Sequence, residues 1–313
     1  MCSMPMRPAP LAIWKGIGYP GIERDPVRAR KMLRATCKSP SGFLELVNEF
    51  YRKIRYSPSK EIVIFRGQNV DKPLLPKYAR VVESLLRKDL IRPDEILTVE
   101  QERLREFKRR AGWLIDKAPR NDWDWLGLAQ HHGLETRLLD WTENPLVALY
   151  FAFENCRGVD YNDSVVWMFR VPKTEIVLPT ARVSPFSMAR TKVFRPTVVS
   201  HRMTAQACWF TLHKFLNQKE KFVALEKNRL LKASLARLEL RLSPFDVVRY
   251  LDRVGINPAS LFPELDGLCS YLNRAARFSA SDWEFVPMPR RIGEKEPPSP
   301  WQETAQGGSN PKT

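Results

Sequence analysis

The chain has 313 residues, 43% hydrophobic and 11% aromatic, enough apolar side chain to bury a sizeable core and to exclude disorder throughout. Its formal charge of +16 favours polyanionic partners, whether nucleic acid, nucleotide phosphates or an acidic surface, with an inert basic surface as the alternative. Five scattered cysteines without a Cys-x-x-Cys pair argue against a disulfide framework or zinc site, and no run reaches the roughly 18 apolar residues of a membrane span, so a cytoplasmic protein with reduced thiols is expected.

Residues 1–41 mix Pro, Gly and charge and read as an irregular arm with a short helix around 27–37. From Ser41 the apolar residues Phe43, Leu44, Leu46, Val47, Phe50, Tyr51 and Ile54 recur at helical spacing, with Ser41 as the N-cap. The β-branched run Ile62 to Phe65 predicts a buried strand ending at Arg66-Gly67. Helices are predicted at 79–90 and 99–115, the second with a basic face of Arg103, Arg105, Lys108, Arg109 and Arg110 that reads as solvated rather than as a binding surface.

A further helix is expected at 122–130 with Gly133 as its stop, then a polar turn, then a buried helix opened by Asn144-Pro145 as N-cap and first helical residue. Strands are predicted at 164–171, 175–178 and 235–242, the last from the alternation LARLELRL. A helix follows Ser243-Pro244, then a turn and a closing helix, and the Pro- and Gly-rich tail from residue 289 reads as disordered. The expected fold is α+β: a central mixed or antiparallel sheet flanked by helices, with an N-terminal helical arm and a disordered C-terminal tail. The corresponding division is 1–56 for the arm and packing helices, 57–288 for the α+β domain and 289–313 for the tail.

Three segments carry the candidate chemistry. Arg66, delivered by a strand end and followed by Gly67, can fork two hydrogen bonds onto a phosphate or carboxylate while the glycine lets a ligand approach the backbone. The alternative is that Arg66 pairs with a structural carboxylate such as Asp140. The segment HHGLETRLLDW gathers His131, His132, Thr136, Arg137, Asp140 and Trp141 directly before a buried helix, so a rigid scaffold holds its acids, bases and donors. His132 as a helix cap and Asp140 as a turn acceptor are the plain structural alternatives. In the third segment Arg202 and Gln206 are four apart and share a face if the stretch is helical, with Gln206 able to bridge two hydroxyls of a sugar. Adjacent histidines do not face one another and no Asp or Glu stands at ligand spacing, so no metal site is expected. The chain has no nucleophile elbow, and neither Walker nor dinucleotide glycine loops.

Together FRGQ at 65–68, LAQHHGLETRLLDWTENPLVALYFA at 128–152 and RMTAQACWFTLH at 202–213 resemble the FRG domain family, named for its Phe-Arg-Gly motif. The resemblance extends over roughly residues 61–272, including LFPELDGL at 261–268. Glu135 stands where the family usually has Pro, and Cys208 where it usually has Gly. The arrangement is similar to the ADP-ribosyltransferase plan, which implies that Arg66 holds an NAD phosphate or ribose, that Thr136 or Thr142 stands near the nicotinamide and that Gln206 meets the ribose hydroxyls. Gln206 is not a glutamate, so either Asp140 supplies the charge or the site binds without turning over.

The expectation is therefore an NAD-like nucleotide ligand and no tightly bound cofactor. Its candidate catalytic groups are Arg66, His132, Thr136, Asp140 and Gln206. The candidate binding groups are Arg66, Gly67, Gln68, His131, Arg137, Trp141 and Arg202. The alternative is a nucleic-acid-binding or nuclease-like module of a bacterial defence or toxin system, acting without NAD chemistry.

Overall fold

Residues 32–58, 61–115, 118–154, 164–178, 183–197, 200–216 and 221–277 are described in a computed structural model of the chain. The strands are β1 (Leu33–Cys37), β2 (Glu61–Gln68), β3 (Leu138–Thr142), β4 (Val165–Pro172), β5 (Ile176–Val177), β6 (Lys192–Phe194), β7 (Cys208–Leu212), β8 (Phe215–Leu216), β9 (Lys221–Phe222) and β10 (Leu235–Leu240). The helices are α1 (Pro40–Lys53), α2 (Lys77–Leu86), α3 (Ile96–Ala111), α4 (Asp122–His131), α5 (Pro145–Phe153), α6 (His201–Ala205), α7 (Pro244–Arg253), α8 (Pro258–Leu261) and α9 (Leu265–Arg277). Eight strands form one mixed sheet in the order β1-β10-β4-β2-β3-β7-β6-β5, and β8 and β9 form a separate ribbon. The α+β expectation holds. Among the described residues no helix is long and apolar enough to cross a membrane.

Strand alternation assigns the two faces of the sheet. In β2, Val63 and Phe65 pack with the apolar faces of α1, α5 and α7, while Ile64 packs on the opposite side with Trp141, Trp167 and Phe169. The first face is divided between two helix groups: α1, α5 and α7 cover the β10-β4-β2 half, and α3 and α4 pack through Leu104, Trp123 and Leu126 onto Leu138, Phe194 and Phe210 of the β3-β7-β6 half. Helix α5 is PLVALYFAF with Asn144 as its cap, whose side chain accepts from the Leu146 amide. A helix apolar on all sides must be buried on all sides, and this one lies against β2 so closely that a Cβ at Gly67 would stand 1.8 Å from the Ala148 carbonyl oxygen.

The halves meet at a narrow seam. Strand β3 pairs with β2 only through Thr142 and Phe65, whereas it pairs with β7 along its whole length, from Leu138↔Leu212 to Thr142↔Cys208. Beyond that one pair, Arg66 to Gln68 of β2 and the residues of β3 that precede Thr142 diverge.

Several local expectations need correction. Leu33–Cys37 is a strand, not the end of a helix, because it pairs in parallel with β10 along Leu33↔Ala236 to Cys37↔Leu240; residues 27–31 lie outside the described residues. The cap of α1 is Ser39, which accepts from the Gly42 amide, rather than Ser41. The polar turn expected before Asn144 contains β3, whose four apolar or hydroxyl residues are buried around the exposed Asp140. Strand β2 continues through Arg66 and Gly67 to Gln68 because β4 pairs with it as far as Gln68↔Val165. The tail at 289–313 and most of the arm lie outside the described residues.

Candidate functional site

The seam between β2 and β3 opens into a cavity of about 580 Å³, within the size range of small-molecule sites. Arg66 lies on its wall, and its Nη1 donates to the Asp140 carbonyl oxygen at 2.8 Å. The same nitrogen is 3.7 Å from the Asp140 carboxylate. Arg66 Nε is sealed from water without a hydrogen-bond partner, a cost of roughly 1–3 kcal/mol that such a group imposes on a fold. Burial lowers the guanidinium pKa, an effect opposed by Asp140, and arginine stays charged regardless.

Asp140 is held by a chain of hydrogen bonds. Its Oδ2 accepts from Gln130 Nε2 at 3.0 Å, and Gln130 Oε1 accepts from the Thr136 hydroxyl at 2.8 Å. Thr136 Oγ1 in turn accepts from the Leu138 amide at 3.0 Å. The C-terminal end of α4 is thereby tied to β3 across the turn at Gly133, whose φ of +88° suits glycine. The Asp140 side chain stays about half exposed, so its carboxylate is positioned yet open to a ligand.

Of the sequence candidates, Arg66, Gly67, Gln68 and His131 line the cavity, as do Asp140, Trp141, Arg202 and Gln206. Their side chains are not equally available. Gly67 faces α5, and Gln68 Oε1 accepts from Trp167 Nε1 at 2.8 Å. Trp141 Nε1 donates to Thr211 Oγ1 at 3.1 Å. Gln206 Nε2 donates to the Leu261 backbone carbonyl at 3.3 Å, while the Gln206 backbone carbonyl accepts from the Thr142 hydroxyl at 2.7 Å. Burial, with Arg202 and His132 adding to it, brings His131 down to about 4, so it is a neutral donor and acceptor near pH 7. The Cys208 thiol is pushed up to about 12, chiefly by burial, which removes it as a thiolate nucleophile.

His132, Thr136 and Arg137 are not on the cavity wall. His132 is the C-cap of α4, Thr136 is buried in the chain just described, and Arg137 is buried against Glu100. The wall also holds residues that the sequence did not single out, among them Gln130, Lys72, Arg80 and Glu154. Gln130 directly precedes the HHGLETRLLDW segment, so its neighbourhood was legible; Lys72 and Arg80 carried no sequence signal. Among the described residues no group of three or more His, Cys, Asp or Glu is placed to hold a metal ion.

Residues 61–160 match the family model of the FRG domain. No curated protein and no solved structure matches the chain. The matched stretch contains Arg66, Gln130 and Asp140, whereas Arg202 and Gln206 enter the cavity from beyond it. The chain therefore carries an FRG domain at residues 61–160, the segment that supplies both Arg66 and Asp140 to the cavity.

Proposed function

We propose that the cavity binds a nucleotide whose phosphate is held by Arg66, with NAD as the candidate substrate and an ADP-ribosyltransferase-like or NAD-consuming reaction as the activity. The observation that carries this reading is the charge of the walls: Arg66, Lys72, Arg80 and Arg202 stand against only Asp140 and Glu154. An enclosed surplus of cations raises the local concentration of anions and strengthens their binding.

Asp140, about half exposed on the wall, would stabilise positive charge developing at an anomeric carbon. In hydrolysis, water adds to C1′ as the C1′–nitrogen bond breaks and the bonding electrons leave with nicotinamide. The water releases a proton, giving ADP-ribose, nicotinamide and H⁺. Gln206, which the transferase analogy would set against the ribose hydroxyls, already donates to Leu261, so the electrostatic part of the chemistry falls to Asp140.

The test is to incubate the protein, Arg66→Gln and Asp140→Asn with NAD and follow nicotinamide by mass spectrometry, with circular dichroism as a folding control. Release by the wild type that both folded variants lose supports the reading. An absence of NAD binding and turnover in the wild type removes it. Nucleic-acid binding is the second reading, favoured by the net charge of +16. It requires affinity for RNA or DNA that falls steeply with salt, and salt-insensitive or absent binding rejects it.

A further inference from the structure

We propose that Arg202, laid on the ring of Phe262, is a second anion-binding group of this cavity, so that the ligand carries a diphosphate rather than a single phosphate. This rests on the nucleotide reading and extends it to a class of substrate.

The Arg202 guanidinium carbon stands 4.5 Å from the Phe262 ring centroid, a cation–π contact that uses the face of the guanidinium and leaves its in-plane N–H edges for an acceptor. Arginine has five donors. Other arginines engage carboxylates through several of theirs: Arg137 bonds Glu100, and Arg237 bonds both Asp71 and Glu239. Among the described residues Arg202 makes no side-chain hydrogen bond or ion pair, and its Nε is sealed without a partner, although the residue lines the cavity. It is partly buried, so the guanidinium is not a solvated surface charge.

The ring beneath Arg202 is firmly placed. Phe262 packs at 6.3 Å, centroid to centroid, against both Tyr150 and Phe151 of α5. The adjoining Leu261 carbonyl accepts from Gln206, and a Cβ at Gly267 would stand 1.8 Å from the Phe262 carbonyl oxygen. Arg66 and Arg202 reach the cavity from different elements, β2 and α6, and have different neighbours, Asp140 for one and Phe262 for the other. Two independently mounted arginines suit two phosphoryl groups better than one.

The experiment measures binding of AMP, ADP and NAD by isothermal calorimetry, with EDTA present, to the wild type, Arg202→Gln and Phe262→Leu. Because Arg202 makes no side-chain hydrogen bond among the described residues and gives up only the contact with Phe262, its variant should stay folded, with a thermal midpoint within a few degrees of the wild type. The wild type should bind ADP and NAD at least about tenfold more tightly than AMP, as expected for one additional charge-assisted contact. Arg202→Gln should lose about that factor for ADP and NAD while AMP changes by less than about threefold, and Phe262→Leu should lose part of it. Equal wild-type affinity for AMP and ADP, unchanged ADP and NAD affinity in Arg202→Gln, or a parallel loss of AMP overturns the second subsite and leaves the nucleotide reading standing. If the wild type binds none of the three, the nucleotide reading itself falls.

Discussion

Replacing Glu100 by glutamine keeps the shape of the side chain and removes the charge that Arg137 needs. The two side chains are each 4% exposed. Glu100 accepts from the Arg137 amide at 3.3 Å, from Nε at 2.8 Å and from Nη2. The guanidinium also stands 5.3 Å from the Phe186 ring centroid. Glutamine can retain part of the hydrogen bonding, but arginine does not deprotonate to relieve a missing counter-charge. Breaking one side of a buried pair costs about 3–5 kcal/mol, against a total stability of about 5–15 kcal/mol for a typical domain. Urea unfolding monitored by tryptophan fluorescence, with nine tryptophans in the chain, should show Glu100→Gln losing about that amount. The double variant Glu100→Leu with Arg137→Met should lose much less, because it removes both charges together. A cost below about 1 kcal/mol for Glu100→Gln would refute the reasoning and return Arg137 to the set of residues free to meet a ligand.

Three further outcomes are expected. Gly67→Ala must push α5 off β2, since the added carbon would stand 1.8 Å from the Ala148 carbonyl oxygen and 2.6 Å from the Ala152 nitrogen; a loss of at least about 1–3 kcal/mol in urea unfolding is expected. Thr136→Val deprives Gln130 of a donor and the Leu138 amide of its acceptor, at a cost of about 1–3 kcal/mol, with weaker ligand binding as Gln130 releases Asp140. The buried His213 is brought down to about 4, chiefly by burial, so the unfolded chain binds more protons than the folded one between pH 6.5 and pH 4. Its stabilising effect is complete above about pH 6.5 and fades as pH falls to about 4, by on the order of 3 kcal/mol. His213→Gln should flatten that part of the stability–pH profile, and an unchanged slope would count against it.

His213 also illustrates how hydrogen-bond polarity propagates. Trp141 Nε1 can only donate, so Thr211 Oγ1 accepts there; the Val223 carbonyl can only accept, so in the neutral imidazole His213 Nε2 is left to accept from the Thr211 hydroxyl at 3.1 Å. Nδ1 then carries the proton that faces the Val223 carbonyl at 3.4 Å. This order requires a neutral imidazole, in agreement with its lowered pKa.

Much of the fold was legible because its signals are local. The Asn144-Pro145 start of α5, the Gly133 stop after α4, the apolar run of β2 and the alternation of β10 each express a rule that needs only a few neighbouring residues. The pairing of Arg66 with Asp140 was also legible as one of two options, because a buried arginine needs an acceptor. Strand β3 was not: with the exposed Asp140 inside five residues, LLDWT reads as a polar turn, and only hydrogen bonding to β7 makes it a strand. Strand β1 was missed for a related reason, since it is an edge whose first four residues are exposed and no apolar pattern announces it.

The sequence by itself determined the class of the fold, several helix ends, the FRG-type motif and a stretch of chain that supplies much of the cavity wall. Only the tertiary structure decided which members of that stretch share a cavity. Neighbouring residues on and beside a strand face in different directions, so Asp140 opens to the cavity while Arg137 and Thr136, a few positions away, are buried in partnerships with Glu100 and Gln130. Long-range packing likewise brought Phe262 into contact with Arg202, 60 residues away and on the cavity wall. Local spacing fixes what a segment can form, but register and packing fix what its side chains can reach.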